Sequence, residues 1–172
     1  MPDLERTEFG FARSTCACAK CGLFCRYKPG VLAPADLERL IPSGADPYTW
    51  AEEHLRAFGM VMRSLPDRAA LFGPLVPARG ADGACHWFQN EGCAVHTNSP
   101  FGCAFFDGCR QSREEGMLRS DRSDQAIADE WDKDTLYSRL WHHLWNRGLR
   151  ERPTPQNEMQ LQAELVRLNL AN

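Results

Sequence analysis

The chain has 172 residues, of which 43% are hydrophobic and 25% are charged, as is ordinary for a soluble globular protein of one domain. The formal net charge of −3 and the even spread of Lys and Arg argue against a nucleic-acid partner. The chain begins without the apolar run of a signal peptide, and no stretch approaches the ~18 apolar residues of a membrane span. We therefore expect a single domain over residues 1–172 that is cytoplasmic and has no membrane partner.

Eight cysteines dominate the sequence, and they fall in two regions. The first region holds Cys16, Cys18, Cys21 and Cys25, and the second holds Cys85, Cys93, Cys103 and Cys109. Thiolates crowded together repel one another, so they need disulfide partners or a cation. In a reducing cytoplasm, metal binding is favoured over four disulfides. We expect both regions to close around one or two metal centres.

Helix-start signals mark two helices after the first cysteine region. Pro34 opens a short helix over residues 34–41, which Pro42 ends. A longer helix begins at Asp46-Pro47, with the aspartate as N-cap. Its predicted buried face consists of apolar residues at helical spacing together with a histidine at the edge of the core: Trp50, His54, Leu55, Phe58, Val61 and Met62.

Residues 64–110 contain many glycines and prolines, which break any long periodic pattern. Residues 84–88 and 93–96 are predicted to pair as a small hairpin across residues 89–92. An irregular stretch of this length is unusual in a compact domain unless something fixes it in place. Cysteines bound to metal would do so.

The C-terminal part, residues 121–172, is predicted to be helical. Ser123 caps a helix that ends at Gly148, and Thr154-Pro155 starts a final helix. The sequence therefore predicts a mainly α fold. In this fold, helices surround an irregular cysteine-rich segment, residues 16–109, which bound metal holds in place. The segment can include a small β-hairpin.

The spacing of the first region is Cys-x-Cys-x2-Cys-x3-Cys. Structural zinc sites usually combine two Cys-x2-Cys pairs from separate parts of a chain. The bacterial ferredoxin run is Cys-x2-Cys-x2-Cys-x3-Cys followed by proline. Cys18, Cys21 and Cys25 match its later part, but Arg26 stands where the proline would be. The pattern indicates a thiophilic metal without choosing between zinc and iron.

Other side chains near the second region are candidate ligands or supports. His96 and Asp107 could complete or support a site, because imidazole and carboxylate groups commonly serve as ligands or as their hydrogen-bond partners. The alternative for both, and for His86, is hydrogen bonding at the surface. Eight thiolates could serve two sites of four ligands, or one site with cysteines to spare.

The first region resembles a known family motif. The run is Cys18-Ala19-Lys20-Cys21-Gly22-Leu23-Phe24-Cys25-Arg26. It is similar to Cys-x2-Cys-Gly-x-Cys-Cys plus a basic residue, which is typical of the YkgJ-like cysteine-cluster family of zinc- or iron-chelating proteins. Phe24 occupies the place of the first cysteine of the pair. That departure removes one expected ligand, and Cys16 is the candidate to replace it.

The resemblance extends to the second region. The family follows its first motif with a short helix, like the one predicted at residues 34–41. It then has Cys-x-Phe, Gly-Cys-x-Ile-Tyr or His, and Pro-x2-Cys-x-Phe. This chain has Cys85-His86-Trp87-Phe88, Gly92-Cys93-Ala94-Val95-His96 and Pro100-Phe101-Gly102-Cys103-Ala104-Phe105. The resemblance covers about residues 16–109 and implies chelation of zinc or iron.

We therefore predict a metal-binding protein whose ligands are the eight cysteines, with zinc as first choice and iron or an iron–sulfur cluster as second. The alternative is an iron–sulfur redox protein or a metal-dependent enzyme that uses the same ligands. A third interpretation makes Cys93 or Cys103 a nucleophile beside His96. Eight cysteines favour ligation over that role.

Overall fold

A computed structural model describes residues 7–14, 18–106, 111–151 and 155–170 of the chain. Cys16, Asp107 and Cys109, which the sequence places among the candidate site residues, lie outside these ranges. The α-helices within the ranges are α1 (Ala19–Tyr27), α2 (Pro34–Leu40), α3 (Pro47–His54), α4 (Phe101–Ala104), α5 (Arg113–Asp132), α6 (Leu136–Asn146) and α7 (Pro155–Leu170). None of these described helices is both long enough and apolar enough to cross a membrane.

Short strands separate the helices and form small sheets. They are β1 (Thr7–Glu8), β2 (Phe11–Ala12), β3 (Leu55–Phe58), β4 (Val61–Ser64), β5 (Ala69–Phe72), β6 (Leu75–Pro77), β7 (Phe88–Gln89), β8 (Gly92–Cys93) and β9 (Arg150–Glu151). The pairs β1–β2, β4–β5 and β7–β8 are antiparallel hairpins. In the remaining sheet, β3 lies in the centre, antiparallel to β6 and parallel to β9.

The prediction of a mainly α fold is wrong. About 50% of the described residues are helical, but strands in four small sheets make the described structure a mixed α/β fold. The segment predicted to be irregular and held by metal contains β4, β5 and β6, so backbone hydrogen bonds organise much of it. Pairing between distant strands is hard to predict from one sequence. The preference of a residue for a strand depends on its neighbours in the paired strand, which the local sequence does not contain.

The helix predicted to reach Met62 ends at His54 instead. Residues Leu55–Phe58 alternate between buried and half-buried, as expected for a strand that faces the core on one side. Pairing on both edges holds β3 in this conformation, since Arg56 lies opposite Val76 of β6 and Ala57 lies opposite Arg150 of β9. Apolar spacing alone could not distinguish the short strands β3 and β4 from a continuing helix.

Other local predictions are confirmed. Helix α2 begins at Pro34, and the Asp46 side chain caps α3 by accepting hydrogen bonds from the Thr49 backbone and hydroxyl. A small hairpin is present as β7 and β8, but its strands are shorter than the predicted 84–88 and 93–96, and its turn is residues 90–91 instead of 89–92. The prediction of one helix from Ser123 to Gly148 is wrong, because this stretch contains the end of α5 and the whole of α6. Ser112, not Ser123, caps α5 through a capping box with Glu115.

The core forms where α6 packs on the central strand β3. Leu140 and Leu144 are fully buried there, and the Trp141 indole N–H donates to the Phe58 carbonyl over 2.8 Å. Gly73 lies so close to Trp141 that a Cβ atom would be 2.2 Å from the indole ring. This contact fixes α6 against the sheet.

Tyr137 connects this core to the loop that follows the first cysteine region. Its buried hydroxyl donates to the Leu32 carbonyl over 2.8 Å and accepts from the Leu75 N–H over 2.9 Å. The Leu32 N–H in turn donates to the Leu75 carbonyl over 2.9 Å. The loop before α2 is therefore held to β6, and this positions the residues on either side of it.

Replacing Tyr137 by Phe should lower the free energy of unfolding by about 1–3 kcal/mol. The substitution leaves a buried donor and a buried acceptor without their partner. Urea denaturation followed by circular dichroism measures the change. The matched control is Tyr48→Phe, which removes a hydroxyl at a half-buried position and should change stability little. Equal stability of both variants would contradict the role given to the Tyr137 hydroxyl.

Candidate metal centre

Helix α1 carries three cysteines on one face. Cys18 is its N-cap, and Cys21 and Cys25 follow at intervals of three and four residues, which place side chains above one another on a helix. Cys18 is exposed, whereas Cys21 and Cys25 are half-buried. The Sγ atoms of Cys18 and Cys21 are 3.8 Å apart.

The second cysteine region reaches α1 through backbone contacts. The Cys85 N–H donates to the Cys25 carbonyl over 2.9 Å. Cys93 lies in β8, and Cys103 lies in α4. The Gly30 N–H points at the Sγ atom of Cys103 at 3.3 Å. Thus the structure brings together the two cysteine regions that the sequence predicted to meet.

Two glycines make this approach possible. Gly30 follows α1, and Gly102 lies in α4 beside Cys103. A Cβ atom on Gly30 would be 2.0 Å from the Gly102 carbonyl carbon, and one on Gly102 would be 2.3 Å from the Val31 nitrogen. The Gly102 N–H donates to the Val31 carbonyl over 2.9 Å. Because both residues lack a side chain, the two backbones touch directly.

Asp36 fixes the second cysteine region from the other side. Its fully buried carboxylate accepts hydrogen bonds of 2.7 Å from the N–H groups of Ala33 and Phe101, and it pairs with Arg39 at 2.6 Å. Burial raises the pKa of Asp36, against the opposing effects of the Phe101 N–H and Arg39. The carboxylate thus holds the start of α4, which carries Cys103, to the start of α2. Sequence reasoning assigned Asp36 only to a helix.

Arg13 is a second residue that sequence reasoning missed. It is 6% exposed, and its guanidinium donates to the carbonyls of His96 and Thr97 and to the Ser99 hydroxyl. These bonds tie the N-terminal strand pair to the turn between Cys93 and Cys103. The signal in the sequence was weak, because a single arginine gives no indication of distant carbonyl partners.

Four cysteines, which we call the inner thiol set, interact electrostatically with one another: Cys25, Cys85, Cys93 and Cys103. Burial raises the pKa of all four thiols. The neighbouring thiolates raise the pKa values of Cys25, Cys85 and Cys103 further, and the value for Cys85 rises to about 12. Without a cation, these thiols stay protonated at neutral pH.

The inner thiol set lines a cavity of about 910 Å³, together with Cys18 and Cys21. All six cysteines within the described ranges therefore face one space. The cavity wall also includes Arg13, Arg26, Lys28 and Arg113, against the single carboxylate of Glu91 among the described residues that line it. This surplus of positive charge favours anionic groups inside the cavity.

The histidines lie in two different places. His96 lines the cavity, and both burial and the charge of Arg13 lower its pKa. His86 stacks on His54, with ring centroids 5.0 Å apart, beside Trp87. Burial lowers the pKa of His54 as well as that of His86, which falls to about 4. His54 lies at the edge of the core, as predicted.

The thiols are not arranged as a ready-made metal site. In the described parts of the chain, no three His, Cys, Asp or Glu side chains are grouped closely enough to hold a metal ion. A single zinc ion, with Zn–S bonds of about 2.3 Å, places its thiolates about 3.8 Å apart. The Sγ atoms of Cys18 and Cys21 already have this separation, but no third donor among the described residues is grouped with them. The donor type and burial of the inner thiol set suit a thiophilic metal, around which its side chains would have to draw together.

Replacing Gly30 by Ala should destabilise the protein by about 1–3 kcal/mol, because the added methyl group overlaps the backbone of α4. Gly22→Ala is the matched control, since Gly22 is a helical glycine with open space around its Cβ position. That variant should gain about 0.5–1 kcal/mol. Thermal denaturation of both variants measures the difference. Wild-type stability of the Gly30 variant would show that the two backbones do not need this contact.

Alkylation of the metal-free protein should label the cysteines unequally. At about pH 8, Cys85 stays protonated because its pKa is raised to about 12, and a protonated thiol is a poor nucleophile. The exposed Cys18 should react with iodoacetamide first, and peptide mass spectrometry gives the order. The same reaction on unfolded protein removes the difference. Equal rates in the folded protein would contradict the burial described for Cys85.

Comparisons with known proteins supply no relative. A scan against protein-family models found no match. A search of curated proteins found none, and a search of solved structures found none. The resemblance to the cysteine-cluster family therefore stays a prediction, and the case for a function depends on the geometry of the cavity.

Proposed function

We propose that this protein binds a thiophilic metal through the inner thiol set, Cys25, Cys85, Cys93 and Cys103. One observation carries the proposal: four cysteines from separate parts of the fold line the same cavity, and neighbouring thiolates raise the pKa of three of them, Cys25, Cys85 and Cys103. Folding therefore gathers thiols whose thiolate forms repel. A bound cation would turn that repulsion into attraction.

The surroundings of the thiols support this proposal. The Gly30 N–H points at the Cys103 sulfur, and such N–H groups stabilise metal-bound thiolates. Four thiolates around a divalent ion carry a net negative charge, which the arginine and lysine side chains of the wall would offset. A closed site of four thiolates contributes directly to folding and leaves no position for a substrate.

Zinc is the first choice of metal, because four thiolates are a common structural zinc set. An iron–sulfur cluster is the second candidate, and two observations favour it. The cavity of about 910 Å³ is larger than one ion requires, and no three ligands in the described ranges are grouped closely enough for a single ion. Four cysteines also hold iron–sulfur clusters, which would give the protein a redox role.

The proposal assigns the protein to the cytoplasm, where a reducing environment keeps thiols available for metal. It also narrows the eight predicted ligands to four. Cys18 and Cys21 line the same cavity nearer to solvent, whereas Cys16 and Cys109 lie outside the described residues. His96 remains a candidate supporting residue, because it lines the cavity.

Replacing Cys103 by Ser should abolish most metal binding. Loss of a supporting partner costs about 10–100-fold in metal affinity, and loss of a direct thiolate ligand should cost more. The measurement is metal content per chain by elemental analysis of protein purified without oxygen, with Cys18→Ser as the control that keeps its metal. The Cys103 variant should also be less stable than the control. Full metal content in the Cys103 variant would overturn the proposal.

Elemental analysis and an absorption spectrum of the same preparation identify which of the two candidate metals is bound. Zinc without visible absorbance would support the structural site. Iron with an equal amount of sulfide and a band near ~400 nm would support an iron–sulfur cluster. A wild-type protein that contains neither metal, and that takes up neither when reconstituted, would refute metal binding altogether.

A further inference from the structure

We propose that Cys18 and Cys21 form a redox-active dithiol that exchanges with small disulfides of the glutathione type. Both residues line the cavity, and the contact between their sulfurs is exposed. This activity would be additional to metal binding, and it requires no metal.

The separation of the two sulfurs allows a disulfide. It also equals the spacing of two thiolates on one zinc ion, so the metal content of Cys18→Ser distinguishes the two uses of the pair. The two Sγ atoms are 3.8 Å apart, whereas a disulfide bond is about 2.0 Å long. The gap to close is about 1.8 Å, which rotation of the two side chains about their Cα–Cβ bonds can cover without moving the helix. Both residues belong to the first turn of the same helix, so no other element has to shift.

The local sequence explains this placement. Cys18 is the N-cap of α1, with extended backbone angles, and Cys21 is the third residue inside the helix. In a capping box, the N-cap side chain bonds to the N3 backbone N–H and the N3 side chain bonds to the N-cap backbone N–H, so both side chains lie against the same first turn. Here both positions carry thiols, and the N-cap makes no side-chain capping bond. The same two positions here carry sulfurs that lie 3.8 Å apart.

The environment assigns different roles to the two thiols. Cys18 is exposed and can meet a dissolved disulfide, whereas Cys21 is half-buried behind it. The partial positive charge at the N-terminus of a helix favours an anionic group, and so favours a thiolate there. Cys18 is therefore the attacking residue, and Cys21 is the resolving one.

Metal binding by the inner thiol set does not require Cys18 or Cys21. A closed site takes four thiolates, and the inner thiol set supplies four. This step rests on the proposed function. The geometry of the pair does not, because a disulfide needs only the two sulfurs already 3.8 Å apart.

The exchange is balanced in two steps. The Cys18 thiolate attacks one sulfur of the small disulfide, whose S–S bond breaks, and one thiolate leaves and takes up the proton that Cys18 gave up. The Cys21 thiolate then attacks the Cys18 sulfur, and the second small thiolate leaves with the proton from Cys21. The protein dithiol loses two electrons, and the small disulfide is reduced to two thiols.

The test equilibrates the full-length protein with buffers of oxidised and reduced glutathione, quenches with acid and alkylates the remaining thiols. Trypsin cleaves after Lys20, so the disulfide joins two peptides that are separate when reduced. Fragment mass spectra should locate the bond at Cys18 and Cys21 before any bond forms in the inner thiol set. In Cys21→Ser, Cys18 should instead hold a trapped glutathione.

Matched variants make the outcome decisive. The cross-link should persist in Cys16→Ser and Cys25→Ser and should be lost in Cys18→Ser and Cys21→Ser. A bond from Cys16 or to Cys25, or no bond at any glutathione ratio, would overturn the proposal. Loss of bound metal in Cys18→Ser would also overturn it, because the pair would then be ligands. Absence of metal from the wild type would refute the proposed function and leave the dithiol result intact.

Discussion

Direct backbone contact between Gly30 and Gly102 is the constraint on which the candidate site depends. A Cβ atom on Gly30 would lie 2.0 Å from the carbonyl carbon of Gly102, and a Cβ atom on Gly102 would lie 2.3 Å from the nitrogen of Val31. The contact brings Cys103 beside the segment that follows Cys25, and Tyr137 and Asp36 hold the two sides in place. The fold therefore uses neutral backbone and buried hydrogen bonds, not the thiols themselves, to bring the two cysteine regions together.

Once together, the inner thiols lie in surroundings that disfavour their charged thiolate forms. Burial raises the pKa of all four thiols, and neighbouring thiolates raise the pKa of Cys25, Cys85 and Cys103 further. The cationic wall opposes this effect only in part, as with the influence of Arg13 on the pKa of Cys93. A thiophilic cation would stabilise the thiolate forms, and for this reason the geometry favours metal binding over four isolated buried cysteines.

Helix α1 has two chemical environments along one face. Cys18 and Cys21 lie near solvent at the helix N-terminus, where exchange with a dissolved disulfide is accessible. Cys25 lies one turn further along, where burial keeps its thiol protonated until a cation binds. A single helix thus carries both the thiol pair proposed for redox exchange and one of the ligands proposed for the closed metal site.

The sequence alone determined the features that depend on local chemistry. Pro34 and the Asp46 cap marked helix starts, the β7–β8 turn marked a hairpin, and the cysteine spacing indicated two regions that meet. Only the tertiary structure decided that residues after His54 form strands, because β3 depends on pairing with β6 and β9 from distant parts of the chain. It also divided the cysteines by depth, since burial and thiolate repulsion arise only when separate segments share one cavity.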